Sequence, residues 1–328
     1  MSTPAPLAPD VVIGVDVGGT RMKLGLIGPS GELGLQVSLP TPDAPGQVVS
    51  SLAAGVASLR ARAGLAEHTP VGVVVPGVLD EHAGVVELAV NLGWEDLPIR
   101  ALLEEALPGP VAVGHDVRAG ALAEATWGAG RLLRRRADHD DRTHGVDAPT
   151  DLVFVPIGTG VAAAVVHEGR LLGDRYAGEI GQLQVLEPVT GARMRLEAVA
   201  SASAISRRYA EATGTDAALA ISAHDVVDLA REGERAAEEI LFGALDTLSQ
   251  ALATIISGIG PVPIVIGGGL AEGGDIVLAP LRGSIAPRLG AIPAPPIVPA
   301  TLGMWAGCRG AGLLAQRARA AVLTGTQA

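Results

Sequence analysis

Three short glycine-rich turns, each directly after an apolar stretch, are the segments of the chain best suited to bind phosphate. They are Asp16-Val17-Gly18-Gly19-Thr20, Gly158-Thr159-Gly160 and Gly267-Gly268-Gly269. Glycine has no Cβ, so the backbone N–H groups of such turns can approach an anion closely. Asp16 stands where a carboxylate can orient a Mg²⁺ ion bound to phosphates, and Thr20 adds a hydroxyl donor. A tight hairpin capped by Asp16, and a packing turn for the third segment, remain alternatives.

The second turn also matches a weak form of the dinucleotide-binding fingerprint. Gly158, Gly160 and Ala163 fit G-x-G-x-x-A. That fingerprint requires a helix directly after the turn. Only residues 161–166 precede the next turn, which is too short for a crossover helix. The sequence therefore favours a hairpin whose turn binds a phosphate over a nicotinamide site, and it contains no G-x-x-x-x-G-K-[ST] segment of the P-loop type.

A further candidate is Asp116, which ends the segment Val113-Gly114-His115-Asp116 where a strand passes into a helix. A carboxylate within hydrogen-bond reach of an acceptor hydroxyl can take its proton during group transfer. The position also suits a helix N-cap, and the residues alone favour the cap. Both roles are compatible.

The elements that position these residues are predicted to form an α/β fold. Apolar stretches at 11–16, 22–27 and 33–39, joined by short turns, predict an antiparallel start to a sheet. A helix-spaced segment at 47–63 precedes a continuous apolar strand at 71–75, as in sheets covered on both faces.

One segment departs from this pattern. Residues 131–150 are dense in Arg, Asp and His and are predicted to form an exposed loop. Its histidines and aspartates could be metal ligands, but nothing apolar anchors them, which favours a solvated loop.

Composition limits the classes of protein to consider. The chain has 328 residues, 48% of them hydrophobic, which predicts two globular domains or one large one. A net charge of −11 argues against an extended nucleic-acid partner, although not against a small phosphate ligand. Cys308 is the single cysteine, so an intramolecular disulfide and a cysteine-rich zinc site are excluded. With no signal-peptide pattern and no membrane span expected, a cytoplasmic location is predicted.

In the order of its segments the chain resembles the ROK family (repressors, open reading frames, kinases), which are sugar kinases of the actin-like ATPase fold. The three glycine turns resemble the family's two phosphate motifs and its adenosine turn. The family's sugar-side segment is similar to Pro76-Gly77, Asp80 and Asn91-Leu92-Gly93-Trp94 of this chain. Its closing helix is similar to the segment with Gly303, Gly307, Gly310 and Ala311. The resemblance covers nearly the whole chain.

The resemblance implies a two-lobed, ribonuclease H-like α/β fold with an interdomain cleft. Residues 10–114 and 309–326 are expected to form the N-terminal lobe, and residues 115–308 the C-terminal lobe with the nucleotide-binding turns. It also implies ATP and Mg²⁺ as cofactors, with the ion near Asp16. A homo-oligomer, dimer or tetramer, is expected from the same resemblance.

Individual site residues follow from the resemblance in the same way. Asp116 corresponds to the family's catalytic base, and Glu179 and Glu197 correspond to its sugar-binding glutamates. Glu179 could equally be a surface residue, and Glu197 a first-turn glutamate facing a helix dipole. The residues expected to contact the sugar are Gly77, Asn91, His115, Asp116, Glu179, Gln182 and Glu197.

The chain departs from the family pattern in three places. Gln182 stands where the family usually has a histidine. Residues 183–195 contain no cysteine, so no structural zinc is expected, and packing of Val185, Leu186 and Met194 is expected to hold Glu197 in its place.

The third departure concerns the neighbours of Asp116. His115 and Arg118 replace the two asparagines that flank the family's catalytic aspartate. Arg118 could meet an acceptor that carries negative charge, neutralise transferred phosphate, or point into solvent.

The sequence therefore predicts an ATP-dependent kinase that phosphorylates a hydroxyl of a hexose-like acceptor. A kinase for a cyclitol or modified sugar is the alternative that His115, Arg118 and Gln182 motivate, and a non-catalytic sugar sensor is a second. The net charge of −11 disfavours a polyphosphate donor. A repressor is disfavoured because fifteen residues before Asp16 are too few for a DNA-binding unit. No nucleic-acid or membrane partner is expected.

Overall fold

The computed structural model describes residues 10–137, 150–187, 190–215 and 221–324. Within these residues it divides into two compact units. The first unit contains residues 10–127, 173–176 and 305–324, and the second contains the remaining described residues.

The strands, in chain order, are β1 (Val12–Val17), β2 (Arg21–Ile27), β3 (Leu33–Pro40), β4 (Val71–Val75), β5 (Val78–Asp80), β6 (Val85–Ala89), β7 (Trp94–Leu97), β8 (Val111–His115), β9 (Leu152–Pro156), β10 (Ala164–His167), β11 (Arg170–Leu171), β12 (Gln184–Leu186), β13 (Arg193–Arg195), β14 (Ile264–Gly267) and β15 (Ile297–Pro299). The helices are α1 (Pro45–Ala63), α2 (Ile99–Ala106), α3 (Asp116–Thr126), α4 (Ala129–Ala137), α5 (Glu197–Ala200), α6 (Ala202–Thr213), α7 (Ala223–Arg231), α8 (Arg235–Ile259), α9 (Asp275–Ile285) and α10 (Ala306–Thr324).

The first unit is built on a sheet of strand order β3-β2-β1-β4-β8. Strands β1, β2 and β3 are antiparallel, as predicted, and β4 and β8 run parallel to β1. Helices α1 and α2 contribute to the apolar core on one face, whereas α10 lies against β1 and β4. A Cβ on Gly72 of β4 would lie 1.8 Å from the Ala311 carbonyl oxygen, so only glycine lets α10 approach this closely.

Helix α3 belongs to the first unit, so the boundary lies after Trp127 rather than after residue 114 as the sequence predicted. The reason is its packing on α10. A Cβ on Gly310 would lie 2.2 Å from the Ala119 carbonyl oxygen, which shows how closely the two helix backbones approach. Asp116, at the start of α3, is thereby fixed to the same body as the first glycine turn.

The second unit contains a sheet of strand order β11-β10-β9-β14-β15. Strands β9, β14 and β15 are parallel, and β10 pairs with β9 in an antiparallel hairpin. Helix α8 is the one described helix long and apolar enough to cross a membrane, but 56% of its most apolar stretch is buried inside the protein. Its buried leucines, including Leu241, Leu245 and Leu248, make it a core helix of this unit.

Helix α4 occupies the start of the segment that was predicted to be an exposed loop. Residues 131–137 are helical, which agrees with the good helix propensity of arginine and leucine and the absence of glycine and proline there. Arg134 Nη1 donates to Thr150 Oγ1 at 2.7 Å, and Thr150 Oγ1 donates to the Gly130 carbonyl at 2.9 Å. Residues 138–149 of the predicted loop lie outside the described residues.

Candidate active site

The first glycine turn joins β1 to β2 and is closed by hydrogen bonds within the protein. The Gly18 N–H donates to the Arg21 carbonyl at 3.0 Å, which leaves the amides of Gly19 and Thr20 at the tip out of this bond. Thr41, after β3, donates its hydroxyl to the Gly18 carbonyl at 2.7 Å and its N–H to the Thr20 carbonyl at 3.0 Å. The turn is therefore held in a conformation that offers backbone donors to an anion.

Asp16 lies on β1 just before this turn and is largely buried. A Cβ on Gly307 would lie 2.9 Å from its carboxyl carbon, so the carboxylate faces the first turn of α10, where the helix dipole favours negative charge. Burial raises the pKa of Asp16 to about 6; Lys23 opposes the rise, and the charge of Asp116 adds to it. Such perturbed carboxyl groups are concentrated at functional sites.

Asp116 is the first residue of α3, so the N-cap position that the sequence favoured for it belongs to His115, which makes no side-chain cap hydrogen bond. Asp116 Oδ1 accepts a hydrogen bond from the Val117 N–H at 2.7 Å, and the His115 Nδ1 lies 3.4 Å from the same oxygen. Burial raises the pKa of Asp116 to about 6, against the opposing effects of the backbone N–H groups and Lys23. At neutral pH the group is ionised, yet it takes up a proton more readily than an ordinary aspartate.

Lys23 is a site residue that sequence reasoning missed. It lies on β2 directly opposite Asp16, and its Nζ is 3.4 Å from Asp16 Oδ2. The sequence holds a signal that was available: Lys23 is the only lysine in the chain.

Besides His115 and Asp116, two more residues expected on the sugar side lie in the first unit. A Cβ on Gly19 would be 3.5 Å from the Cβ of Asn91, so Asn91 lies beside the tip of the first turn. Gly77 has a φ of 95°, and a Cβ there would be 2.3 Å from the Leu88 carbonyl oxygen. Gly77 therefore serves the bend after β4, whereas Asn91 lies next to the first glycine turn.

Arg118 is buried and engaged within the first unit, contrary to the expectations that it meets an anion or points into solvent. Its Nε lies 3.3 Å from Glu81 Oε1, and its Nη1 donates to the Gly173 carbonyl at 3.0 Å. The same Glu81 oxygen accepts from the His115 N–H at 3.1 Å. The guanidinium therefore orders the backbone around Asp116 and does not motivate a charged acceptor.

The second glycine turn follows β9 and leads into β10, which pairs antiparallel with β9, so the predicted hairpin is confirmed. The Gly158 N–H donates to the Gly160 carbonyl at 3.0 Å, and the Ala202 N–H donates to the Gly158 carbonyl at 2.8 Å. Neither bond uses the amides of Thr159 and Gly160, so both are available to an anion at this turn.

Glu197, at the start of α5, lies against this second turn. A Cβ on Gly160 would be 2.5 Å from Glu197 Oε2, and one on Gly181 would be 3.3 Å from the same oxygen. Glu179 is half-buried and directly precedes the short helical turn Ile180–Gln182. The structure therefore brings the segment of Glu179 and the carboxylate of Glu197 together beside Gly160.

Gln182 is exposed, and its Oε1 accepts from Arg195 Nη1 at 3.3 Å. It is thus tied to β13 in the structure. An acceptor would compete with Arg195 for the Gln182 carbonyl oxygen.

The third glycine turn follows β14 and packs on the end of β9. Gly268 has a φ of 76°, and a Cβ there would lie 2.2 Å from the Ile157 carbonyl oxygen. A cavity of about 220 Å³ opens beside Gly269, lined in part by Ala202, Val227 and Leu270. His224 and Glu272 also line this cavity. Apart from these two, the lining residues are small or apolar, which suits a flat base. The lining residues from α6 and α7 were not predicted.

Packing of Val185, Leu186 and Met194 was expected to hold the hairpin of β12 and β13. Val185 does pack against the core of the second unit, and an ion pair that was not expected adds a second attachment. Leu186 is 55% exposed. Glu187 is 2% exposed and accepts from the Thr190 N–H and hydroxyl at 2.7 Å each. Arg208 of α6 donates to its other oxygen at 2.5 Å. This pair joins the hairpin that precedes Glu197 to a core helix.

We expect Arg208→Met to lower the free energy of unfolding by about 3–5 kcal/mol, because it leaves the buried Glu187 carboxylate without its cation. Arg207→Met, one residue away on the same helix, removes an exposed pair with Glu211 and should cost less than about 1 kcal/mol. Urea unfolding of both variants measures this. Equal losses for the two variants would contradict the assignment. A fall in Tm of the wild-type protein on dialysis against EDTA would also contradict it, because it would indicate a structural metal ion.

The nucleotide and its ion fit the residues present. In each of the first two turns, two backbone N–H groups take no part in the hydrogen bond that closes the turn. Such N–H groups are the donors that bind phosphate. Asp16 supplies the oxygen ligands that Mg²⁺ prefers. No other side chain is assigned to the ion.

Comparison with known proteins agrees with this arrangement. The model of the ROK family matches residues 12–318. A glucokinase from Thermotoga maritima is 32% identical over 83% of this chain and 86% of its own length, and one from Halalkalibacterium halodurans is 30% identical over 82% and 83%. The crystal structure of a ROK family glucokinase from Streptomyces griseus, in complex with glucose and AMPPNP, has a TM-score of 0.76 at 26% identity, covering 94% and 99% of the two chains. The chain therefore has the actin-like ATPase fold and belongs to the ROK family.

Proposed function

We propose that this ROK-family carbohydrate kinase transfers the γ-phosphoryl group of ATP to a hydroxyl of a hexose, as a glucokinase does. The observation that carries the proposal is the position of Asp116, a carboxylate with a pKa of about 6 in the same compact unit as the first glycine turn. The names of the relatives and the glucose and AMPPNP in the related structure support the same substrates.

In the proposed reaction Asp116 accepts the proton of the acceptor hydroxyl. The hydroxyl oxygen forms a bond to the γ-phosphorus, and the bond from that phosphorus to the β–γ bridging oxygen breaks. ADP leaves with the electron pair of that bond, and Asp116 later releases the proton to solvent. Catalysis of this kind depends mainly on positioning and charge neutralisation.

Each unit has its own candidate nucleotide-binding turns. In the first unit, Gly18, Gly19 and Thr20 bind phosphate oxygens, and Asp16 holds Mg²⁺, whose charge offsets that of the phosphates. In the second unit, the turns at 158–160 and 267–269 bind a phosphate and the adenosine.

We propose polar side chains as the acceptor-binding residues of each unit. In the first unit these are Asn91 and His115, and in the second unit they are Glu179, Gln182 and Glu197. A carboxylate can accept hydrogen bonds from two neighbouring hydroxyls, which suits a sugar. The buried ion pair of Arg118 removes the reason to prefer an acceptor with a negative charge.

An assay of ADP release with Mg²⁺ and ATP tests the proposal on a panel of acceptors. The panel contains glucose, mannose, N-acetylmannosamine, fructose, allose and several cyclitols. We expect turnover on at least one hexose. Turnover on cyclitols alone would shift the assignment to a cyclitol kinase, and ATP binding without turnover on any acceptor would favour a sensor.

The cytoplasmic location and the homo-oligomeric state of this protein stay predictions.

The acid limb of activity provides a second expectation. The base must be ionised to accept a proton, so kcat/KM should fall as the pH drops below about 6, the pKa of Asp116. A direct assay between about pH 5 and about pH 8 measures this. A flat profile down to about pH 5 would contradict the assigned base.

A further inference from the structure

Lys23 stands out in a chain that otherwise uses arginine for its cations. The chain has 24 lysines and arginines, and 23 of them are arginine. A preference for arginine across the whole chain explains those positions but not this one. Arg21, two residues earlier on the same face of β2, shows the contrast: its side chain is exposed and donates to Ser38 at 2.8 Å and 3.0 Å.

The position of Lys23 relates it to both carboxylates of the first unit. It pairs with Asp16 across β1 and β2, with 3.4 Å between Nζ and Asp16 Oδ2. Its side chain is 24% exposed, so the ammonium is neither sealed in the core nor free in solvent. Its charge lowers the pKa of Asp16 and that of Asp116, which places it within electrostatic reach of both.

The chemistry of an ammonium group differs from that of a guanidinium. Lysine carries a compact charge with three donors that can rotate, whereas arginine presents a planar fork. A contact of 3.4 Å to Asp16 leaves donors of the ammonium for a further anion. Its neighbours are the first glycine turn and Asp116, which the proposed function assigns to phosphate binding and to proton transfer. In that reaction negative charge moves between oxygen atoms.

We propose that the Lys23 ammonium contacts an oxygen of the phosphoryl group in transfer and neutralises part of its charge. The inference rests on the proposed kinase function. Lys23 forms no covalent bond and moves no proton in this role. It acts as a preorganised donor whose contact is strongest in the transition state, and donors of this kind act mainly on kcat.

The test compares Lys23→Met and Lys23→Arg with Arg21→Lys. We expect Lys23→Met to lower kcat by about 10²–10³-fold, the usual effect of removing one such donor, with the KM for the hexose nearly unchanged. Lys23→Arg should remain impaired, because a planar guanidinium presents its donors in a different geometry from the compact ammonium. Arg21→Lys should retain wild-type activity. Unchanged kcat in Lys23→Met would overturn the inference, and full activity in Lys23→Arg would overturn the need for lysine.

Chemical rescue tests whether the ammonium group itself is what kcat requires. Lys23→Cys can be alkylated with 2-bromoethylamine, which rebuilds an amine side chain close to lysine in length. Cys308 is 0% exposed, so treated wild-type protein serves as the control. Recovery of kcat after alkylation supports the inference, and a treated Lys23→Cys protein that is folded but stays inactive contradicts it. Wild-type protein that phosphorylates no acceptor would overturn the proposed function itself.

Discussion

Replacing Asp116 by asparagine is expected to lower kcat by about 10²–10⁴-fold, the usual contribution of a general base. Asparagine keeps the shape of the side chain and an oxygen that can accept from the Val117 N–H, but it cannot take a proton. The KM values for hexose and ATP should therefore change little. Steady-state kinetics with the preferred hexose measures both quantities.

The same substitution should not destabilise the protein and is expected to raise its Tm at neutral pH. The pKa of Asp116 is about 6 in the folded protein and 3.8 for an unperturbed aspartate. A raised pKa means that the folded state favours the protonated form, so the ionised carboxylate costs stability above about pH 6. Asparagine has no such cost. The gain in Tm should shrink as the pH falls from about 6 towards about 4.

A matched control for Asp116→Asn is Asp96→Asn. Asp96 is exposed, and its φ of 47° is a conformation that asparagine adopts readily. This variant should behave as wild type. A kcat of Asp116→Asn close to the wild-type value would remove Asp116 from the mechanism, and a raised hexose KM with unchanged kcat would assign it to binding alone.

Gly160→Ala is expected to weaken hexose binding about 10–100-fold, which corresponds to the loss of a hydrogen bond to a charged group. The new Cβ would lie 2.5 Å from Glu197 Oε2, so the carboxylate has to leave its place beside the second turn. If Glu197 binds the acceptor, its displacement appears in the affinity for the sugar. Calorimetric titration with the preferred hexose, without nucleotide, measures this affinity.

Gly158→Ala supplies the control within the same turn. A Cβ at Gly158 meets nothing within 4 Å, so Glu197 is not disturbed. Hexose affinity without nucleotide should therefore stay at the wild-type level in this variant. Equal effects of the two substitutions would show that the turn itself is responsible, and a Gly160→Ala protein with unchanged affinity would remove Glu197 from the acceptor site.

The sequence predicts those parts of the site that depend on local pattern. Apolar stretches that end in glycine gave the strands and turns around Gly18, Gly158 and Gly267, because a strand and its turn are determined over a few residues. The identity of Asp116 as a base required the family resemblance, since the local pattern fits a helix N-cap equally well.

Contacts between distant segments are what the sequence could not predict. Arg118 pairs with Glu81, 37 residues away, and Arg208 pairs with Glu187, 21 residues away. Such pairs depend on how helices and loops pack, which no short-range pattern encodes. The proximity of Lys23 to Asp16 depends on the exact register of β1 and β2, because a shift by one residue would turn the lysine to the other face of the sheet.

Phosphorus-31 NMR of the wild-type protein with Mg²⁺, ATP and glucose tests the central claim most directly. The account predicts that the ATP signals are replaced by those of ADP and of a sugar phosphomonoester in equal amounts, and that neither forms without the sugar. With mannose, N-acetylmannosamine or another hexose in place of glucose, the same products identify the preferred acceptor. Release of inorganic phosphate instead of a phosphomonoester, or unchanged ATP with every hexose, would contradict the claim that the protein is a hexose kinase.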